Sequence, residues 1–435
     1  MEQKIYSERR NKLMSQIGDG VAIIPSGVEK TRNNDVNYIF RQDSTFWYLT
    51  GFNEPNAVAI LSPSSDKPYT LFVPPYDETF ETWVGKRAGV EGATTVYNAD
   101  QAFSIEDLQT YLPDLLSGTK TLYFTPDSDN DIHATITNII ASQRRNYPRG
   151  GEFIDSIKDI SSLISNMRQI KSSEEIDQIK QAIDITKEGF IKAFKTTTVG
   201  TYEYQVQAHL ESQFRLLGSP RNGYPSIVAG GLNGCTLHYI NNDQQLMDGD
   251  LLLIDAGAEW DYYTADITRT WPVNGKFSQA QLAVYNVVLD AQQHAIRSIS
   301  PGITFEEVHL IALTILIEGL KDLGVLKGSI ESIIEKKTYA PYYMHATSHW
   351  LGLDVHDAGI YRNSSGSIPL EPGMVLTVEP GLYFGKLAPN VPDSLKEIGI
   401  RIEDNILVTD TGYENLSEKI PNDPNELENL IGTHL

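Results

Sequence analysis

The sequence predicts two successive domains, each of helices packed on a sheet, with the chemistry concentrated in the second. Three observations carry this. A chain of 435 residues suits two or three domains. From Gly20 to about Pro126, short β-type runs alternate with polar, helix-compatible stretches. Beyond Ser172, capped amphipathic helices alternate with strand-like runs that each hold a candidate polar residue.

The first half supplies VAIIP at Val21, FWYLTGF at Phe46, AVAIL at Ala57, YTLFVPP at Tyr69 and TLYFTP at Thr121 as strand candidates. Ser104 to Leu116 reads as helix. These imply an α/β or α+β domain with a sheet of roughly five or six strands. No Gly-rich loop leads from a strand into a helix, which argues against a nucleotide site. Gly150 and Gly151 punctuate the chain, and the domain boundary falls between about Gly150 and Ser172. Ser172 with Glu175 predicts a capping box, followed by Ile176, Ile179, Ile183, Phe190 and Phe194 at helical spacing. Ser278 with Gln281 and Thr304 with Glu307 open two more helices, the first ending before Pro301-Gly302 and the second near Gly324.

Composition limits the partners. Lys+Arg number 35 against 57 Asp+Glu, a formal charge of −22. Such a surface argues against nucleic acid or an anionic membrane as a non-specific partner. The single cysteine, Cys235, allows no intrachain disulfide and fits a reducing compartment. The charged N-terminus lacks a signal-peptide core, and no apolar run is long enough to span a bilayer. The expected location is cytoplasmic.

The central stretch is LLLIDAGAEWDYYTADITRTWP, Leu251 to Pro272. If its two apolar runs form a hairpin with Trp260 and Asp261 at the turn, Asp255 and Asp266 pair directly across the ladder and share a face. Two converging buried carboxylates are costly unless a proton or a cation joins them. MVLTVEP ends in Glu379, IGIRIEDNILV puts Arg401 and Glu403 on one face, and MHATSHWLGLDVHD brings His345, His349 and His356. TLHYI adds His238. Carboxylates with an imidazole suit divalent Mn, Co or Zn. Four carboxylates would balance two such ions, which together activate water for hydrolysis. Each residue alone has a plainer explanation. An Asp ending a strand is usually a turn or cap residue, Glu379-Pro380-Gly381 reads as a turn, and His345 and His349 could be an ordinary helix pair. His209, His294 and His309, each in a probable-helix pattern, read as structural or surface residues.

The segments DAGAEWDYYTADITRTWP, MHATSHWLGLDVHDAG, LEPGMVLTVEPGLYF and EIGIRIEDNILVT, in this order, resemble the motifs of the pita-bread metallopeptidases. Within that group they most resemble the aminopeptidase P (Xaa-Pro aminopeptidase) family. RNNDVNYIFRQDSTFWYLTGFNEPNA and ETWVGKRAG are similar to that family's N-terminal domain. The resemblance implies an α/β N-terminal domain with a mixed sheet flanked by helices, residues 1–165, and an α+β pita-bread catalytic domain, residues 166–435. It implies five metal ligands, Asp255, Asp266, His349, Glu379 and Glu403. Asp266 and Glu403 would bridge two divalent ions, most readily Mn2+, with Co2+ or Zn2+ as alternatives, and a metal-bridging hydroxide would be the nucleophile. Glu379 would also move a proton. His356 would hold the substrate carbonyl, His238 and His345 would line the cleft, and Arg401 would orient neighbouring carboxylates. Asp35 and Trp83 match positions near an active site, sometimes a neighbouring subunit's, and a homo-oligomer, dimer or tetramer, is expected.

The activity implied is release of the N-terminal residue from peptides with proline second. An Xaa-Pro dipeptidase (prolidase) on the same scaffold is the alternative; it needs an Arg for the free carboxylate, and none is assignable in the sequence. A non-enzymatic pita-bread protein that binds a protein partner is a third, although such relatives have lost ligands that this chain keeps.

Overall fold

The structure, a computed structural model, describes residues 1–125 and 132–433. Pro126, the expected end of the TLYFTP run, lies outside the described residues. The chain divides into two compact units, Met1–Met167 and Arg168–Leu435.

In the first unit, four of the five expected runs are strands: Val21–Pro25, Val58–Leu61, Tyr69–Val73 and Thr121–Tyr123. With Gln101–Ser104 and Ser156–Lys158 they make one six-stranded sheet. Val21–Pro25 lies inside it, antiparallel to Val58–Leu61 and parallel to Thr121–Tyr123. The sheet is therefore mixed. Helix Leu108–Leu115 and helix Ile132–Asn146 bury Leu112, Ile132 and Ile136 against Val21, Ile23, Ile60 and Phe72.

FWYLTGF is the exception. Its aromatic content reads as strand, but Ser44–Thr50 is a helix. Asp43 caps it, its carboxylate accepting the Phe46 N–H at 2.8 Å, and Gly51 ends it at φ +65°. A cap on each side outweighs the β preference of buried Phe46, Trp47 and Tyr48. Asp35 lies between the short strands Thr31–Asn33 and Val36–Asn37. Trp83, on helix Glu78–Val84, is 84% exposed.

The second unit is α+β. All three capping boxes form, opening helices Ser173–Thr196, Gln279–Ser298 and Phe305–Asp322. A further helix, Glu203–Leu216, packs beside the first. Strand Leu251–Ala256 is central in a three-stranded sheet between Ile267–Pro272 and Ile227–Gly230. A second sheet orders Val375–Val378, Asp404–Thr409 and Gly412–Asn415. The bridge Thr268↔Glu403 joins the two.

The hairpin register differs from the expected one. Its loop is Asp261-Tyr262, with φ +45° and +72°, the left-handed pair of a type I′ turn. Pairing is Trp260↔Tyr263 and Glu259↔Thr264, continuing to Asp255↔Thr268. The one-residue displacement of the loop moves partners by two, so Asp266 is diagonal to Asp255 rather than opposite it. The side-chain period of two keeps both on one face. Gly257 lets the strands close here, because a Cβ would lie 1.8 Å from the Ala265 carbonyl oxygen. IGIRIEDNILV is also two strands rather than one, Gly399–Arg401 and Asp404–Thr409, broken at Ile402-Glu403. His345 and His349 lie in irregular chain, so they are not a helix pair.

Among the described residues no helix is long and apolar enough to cross a membrane.

Arg269 is fully buried and fastens strand Ile267–Pro272 to the C-terminal segment. It donates to Asp404 Oδ1 at 2.8 Å, to the Glu403 carbonyl at 2.6 Å and to the Ile420 carbonyl at 2.8 Å. Burial alone would raise the Asp404 carboxyl, but Arg269, Ser417 and Asn415 together hold it below the usual range. Removing one partner of a buried pair leaves the other uncompensated. Arg269→Ala should therefore cost about 3–5 kcal/mol, read as a lower urea midpoint for the second unit. An unchanged midpoint would contradict this.

Candidate metal centre and substrate cleft

The second unit holds a cleft of about 810 Å³ lined by Asp255, Asp266, His349, Glu379, Arg401 and Glu403 together with His238, His345 and His356. Every site residue expected in this half thus faces one space. Strand Leu251–Ala256 delivers Asp255, and Asp266 precedes strand Ile267–Pro272. Glu379 follows strand Val375–Val378, while Glu403 sits in the break between two strands.

Asp266 is held by its own backbone. Its N–H donates to Asn405 Oδ1 at 3.1 Å, and its carbonyl accepts from Asn405 Nδ2 at 2.5 Å. Asn405 thereby satisfies both main-chain groups that the hairpin would otherwise pair. The Asp266 carboxylate meets Asp255 through Tyr224, whose hydroxyl lies 2.5 Å from Asp266 Oδ1 and 2.7 Å from Asp255 Oδ1. One hydroxyl carries one proton, so it can donate to only one carboxylate at a time. The other side of Asp255 accepts from Arg401 Nη2 at 2.6 Å. Glu403 Oε2 accepts from the Thr268 hydroxyl at 2.7 Å, and Arg401 Nε reaches the same hydroxyl at 3.2 Å.

His349 completes the group. Nδ1 lies 3.0 Å from the Trp350 carbonyl, which can only accept, so the proton sits on Nδ1. Nε2, the other ring nitrogen, points into the cleft. It faces Asp266 Oδ2 at 3.2 Å and Glu379 Oε1 at 3.4 Å. A ring nitrogen this close to two carboxylate oxygens needs a proton or a cation between them. Asp266, His349 and Glu403 offer ligand atoms all within 4.8 Å of one another. Burial, then mutual repulsion, pushes the carboxyls of Asp266, Glu379 and Glu403 well above their ordinary range. The donor set of oxygens and one imidazole nitrogen therefore fits a divalent metal.

The other histidines differ in environment. Burial, and then the Arg401 charge, push the His345 ring down to about 3, so it is neutral. Its Nδ1 lies 2.8 Å from the Ala346 carbonyl and its Nε2 2.8 Å from the Tyr383 hydroxyl. His356 is exposed and stands edge-on to His349, with ring centres 4.4 Å apart. Asp357 beside it is buried and paired with Arg168 and with Lys171, the latter at 3.1 Å. Sequence reasoning set His309 aside, yet its Nδ1 lies 2.8 Å from Thr347 Oγ1 and braces the His345–His349 segment. It also missed Tyr224, Thr268, Tyr383 and Asn405. Thr268, Tyr383 and Asn405 lie within motifs already singled out, whereas Tyr224 lies in none.

Residues 177–410 match the model of metallopeptidase family M24, and residues 6–123 match the aminopeptidase P N-terminal domain. The Xaa-Pro aminopeptidase of Haemophilus influenzae is 44% identical over 428 residues, covering 98% of this chain and 96% of that protein. The chain belongs to metallopeptidase family M24. It is a metallo-aminopeptidase. The Xaa-Pro aminopeptidase of Escherichia coli is 40% identical, covering 98% of this chain and 97% of its own. Among solved structures, Pseudomonas aeruginosa aminopeptidase PepP superposes with a TM-score of 0.96 at 39% identity, covering 99% and 98% of the two chains. The α/β N-terminal and α+β pita-bread architecture of the peptidase follows from this similarity.

The raised carboxyls set a direction for metal loading. Without metal they retain protons at a pH where a free carboxyl has none, and a cation must displace them. Adding Mn2+ to chelator-stripped peptidase at pH 7 should release protons, and affinity should weaken as pH falls. Titration calorimetry in two buffers of different ionisation enthalpy reads the release; identical heats in both would contradict it.

Proposed function

We propose that this peptidase is an Xaa-Pro aminopeptidase that releases the N-terminal residue from peptides with proline second. The observation that carries the reading is Nε2 of His349 facing Asp266 and Glu379 in an otherwise carboxylate-lined cleft. The Haemophilus influenzae and Escherichia coli relatives, both Xaa-Pro aminopeptidases, supply the substrate class. Asp255, Asp266, His349, Glu379 and Glu403 would hold two divalent ions, with Mn2+ the expected metal. Such ions supply Lewis acidity and lower the pKa of water.

The remaining roles belong to the chain itself. Arg401 stays cationic, since Asp255, Glu403 and Glu379 around it outweigh its burial, and it orients Asp255. Glu379 takes a proton from the attacking water and delivers it to the departing proline nitrogen. Its raised pKa suits a group that must both accept and return a proton. His356 donates to the substrate carbonyl oxygen as charge develops there. His345, neutral and fixed by Tyr383, and the exposed His238 flank the substrate. Ile227, Leu237, Ile240, Phe305 and Val355 give the cleft an apolar wall for the pyrrolidine ring. The bond before proline is a tertiary amide with no N–H, so shape rather than a hydrogen bond must recognise it.

Arg401 is the guanidinium among the described lining residues, and Asp255 occupies it. This favours the aminopeptidase over the dipeptidase, which must bind a free carboxylate beside proline. We place the domain line near residue 165, giving domains 1–165 and 166–435. A cytoplasmic setting is supported by the single cysteine. A homo-oligomer, dimer or tetramer, is supported by the exposure of Trp83, as expected of a residue that reaches a neighbouring subunit.

Stripped peptidase reloaded with Mn2+ should cleave an Xaa-Pro-Yaa tripeptide and leave an Xaa-Pro dipeptide largely intact. Asp266→Ala and Glu403→Ala should abolish that activity while the first unit stays folded by circular dichroism. Cleavage of the dipeptide alone would move the peptidase to prolidase, and near-normal turnover in either variant would remove that residue's role in holding metal.

A further inference from the structure

His238 sits on a loop whose two ends are fastened by one side chain that does not line the cleft described above. The loop runs from Gly230, at the end of strand Ile227–Gly230, to Gln244. Glu203, the first residue of helix Glu203–Leu216, is fully buried. Its Oε1 accepts the Gly230 N–H at 2.7 Å and Asn233 Nδ2 at 3.0 Å. Its Oε2 accepts the Gln244 N–H at 2.9 Å and the Tyr239 hydroxyl at 2.8 Å. Both ends of the loop and two interior residues, one adjacent to His238, thus converge on one carboxylate. His238 is exposed, so its place is set by the backbone that Glu203 holds.

The same helix face continues at a spacing of four residues, which stacks side chains in a row. Gln207 Oε1 accepts from Asn242 Nδ2 at 2.9 Å. Glu211 Oε1 accepts from Asn222 Nδ2 at 2.8 Å and from the Ser226 hydroxyl at 2.9 Å, on either side of Tyr224. We propose that Glu203, Gln207 and Glu211 form a positioning stripe for this wall of the cleft, with Glu203 the residue that sets His238. The proposal rests on the functional reading above, in which His238 flanks the substrate.

Glu203→Gln tests it with almost no change in shape. Whichever way the amide turns, one pair of donors loses its acceptor. Amide exchange at Gly230 or Gln244, whichever loses its acceptor, should rise at least about tenfold while exchange in strand Leu251–Ala256 is unchanged. This readout needs no activity, and unchanged exchange at both amides would overturn the proposal. In the Mn2+-loaded enzyme acting on an Xaa-Pro-Yaa tripeptide, Glu203→Gln should lower kcat/KM about tenfold, and Tyr239→Phe should lower it in the same direction. In a His238→Ala background, adding Glu203→Gln should cost less than about twofold, because the positioned ring is gone. A penalty that multiplies in full with His238→Ala would show a general structural role, and normal kcat/KM in Glu203→Gln would show none; either overturns the proposal. Failure of the functional reading looks different: wild-type enzyme would show no metal-dependent tripeptide cleavage, while the exchange result would still decide whether Glu203 holds the loop.

Discussion

Carboxylate crowding is the constraint on which the catalytic unit depends. Asp255, Asp266, Glu379 and Glu403 share one cleft, and burial strips away the water that would otherwise screen them. Two like charges about 4 Å apart repel by on the order of 4 kcal/mol where the effective dielectric constant is near 20. Several such terms exceed what any single hydrogen bond returns. Arg401 and the Tyr224 hydroxyl relieve part of the repulsion at Asp255 and Asp266. The remainder makes the site demand positive charge, and His349 Nε2 stands where that charge would be shared with Asp266 and Glu379.

Holding a repulsive cluster requires a rigid surround. Arg269 with Asp404, and Arg168 and Lys171 with Asp357, are buried pairs placed one shell out. Each sits next in sequence to a site residue or to a residue touching one: Asp404 follows Glu403, Asp357 follows His356, and Arg269 follows Thr268. In these pairs opposite charge outweighs burial, so Asp357 and Asp404 ionise below the ordinary carboxylate range while the neighbouring site carboxyls move the other way. The contrast separates two uses of buried acid within a few residues of chain: one is compensated by a guanidinium, the other awaits a cation.

Much of this was legible in sequence because it is local. Ser172, Ser278 and Thr304 announced their helices through an acceptor three residues on, and the acids ending apolar runs announced the cleft. What was not legible is set by distant partners. The aromatic run at Phe46 reads as strand until Asp43 and Gly51 are seen to cap it. The hairpin loop was displaced by one because Tyr262 is an unusual residue at positive φ. Tyr224, Asn405 and His309 carry no pattern of their own; each matters through a residue 31 to 139 positions away. Glu203 opens a helix whose start resembles any other polar turn.

The bridge between Thr268 and Glu403 also has a consequence for biosynthesis. A ribosome makes Asp255 and Asp266 well before Glu379, and Glu403 last. Until the C-terminal strands have left the exit tunnel, the early acids have neither the later carboxylates beside them nor a bridge to close on. Contacts of such long sequence separation form late and slowly. An unfinished copy of this peptidase therefore lacks the assembled cleft until Glu403 and the strand that follows it have been made.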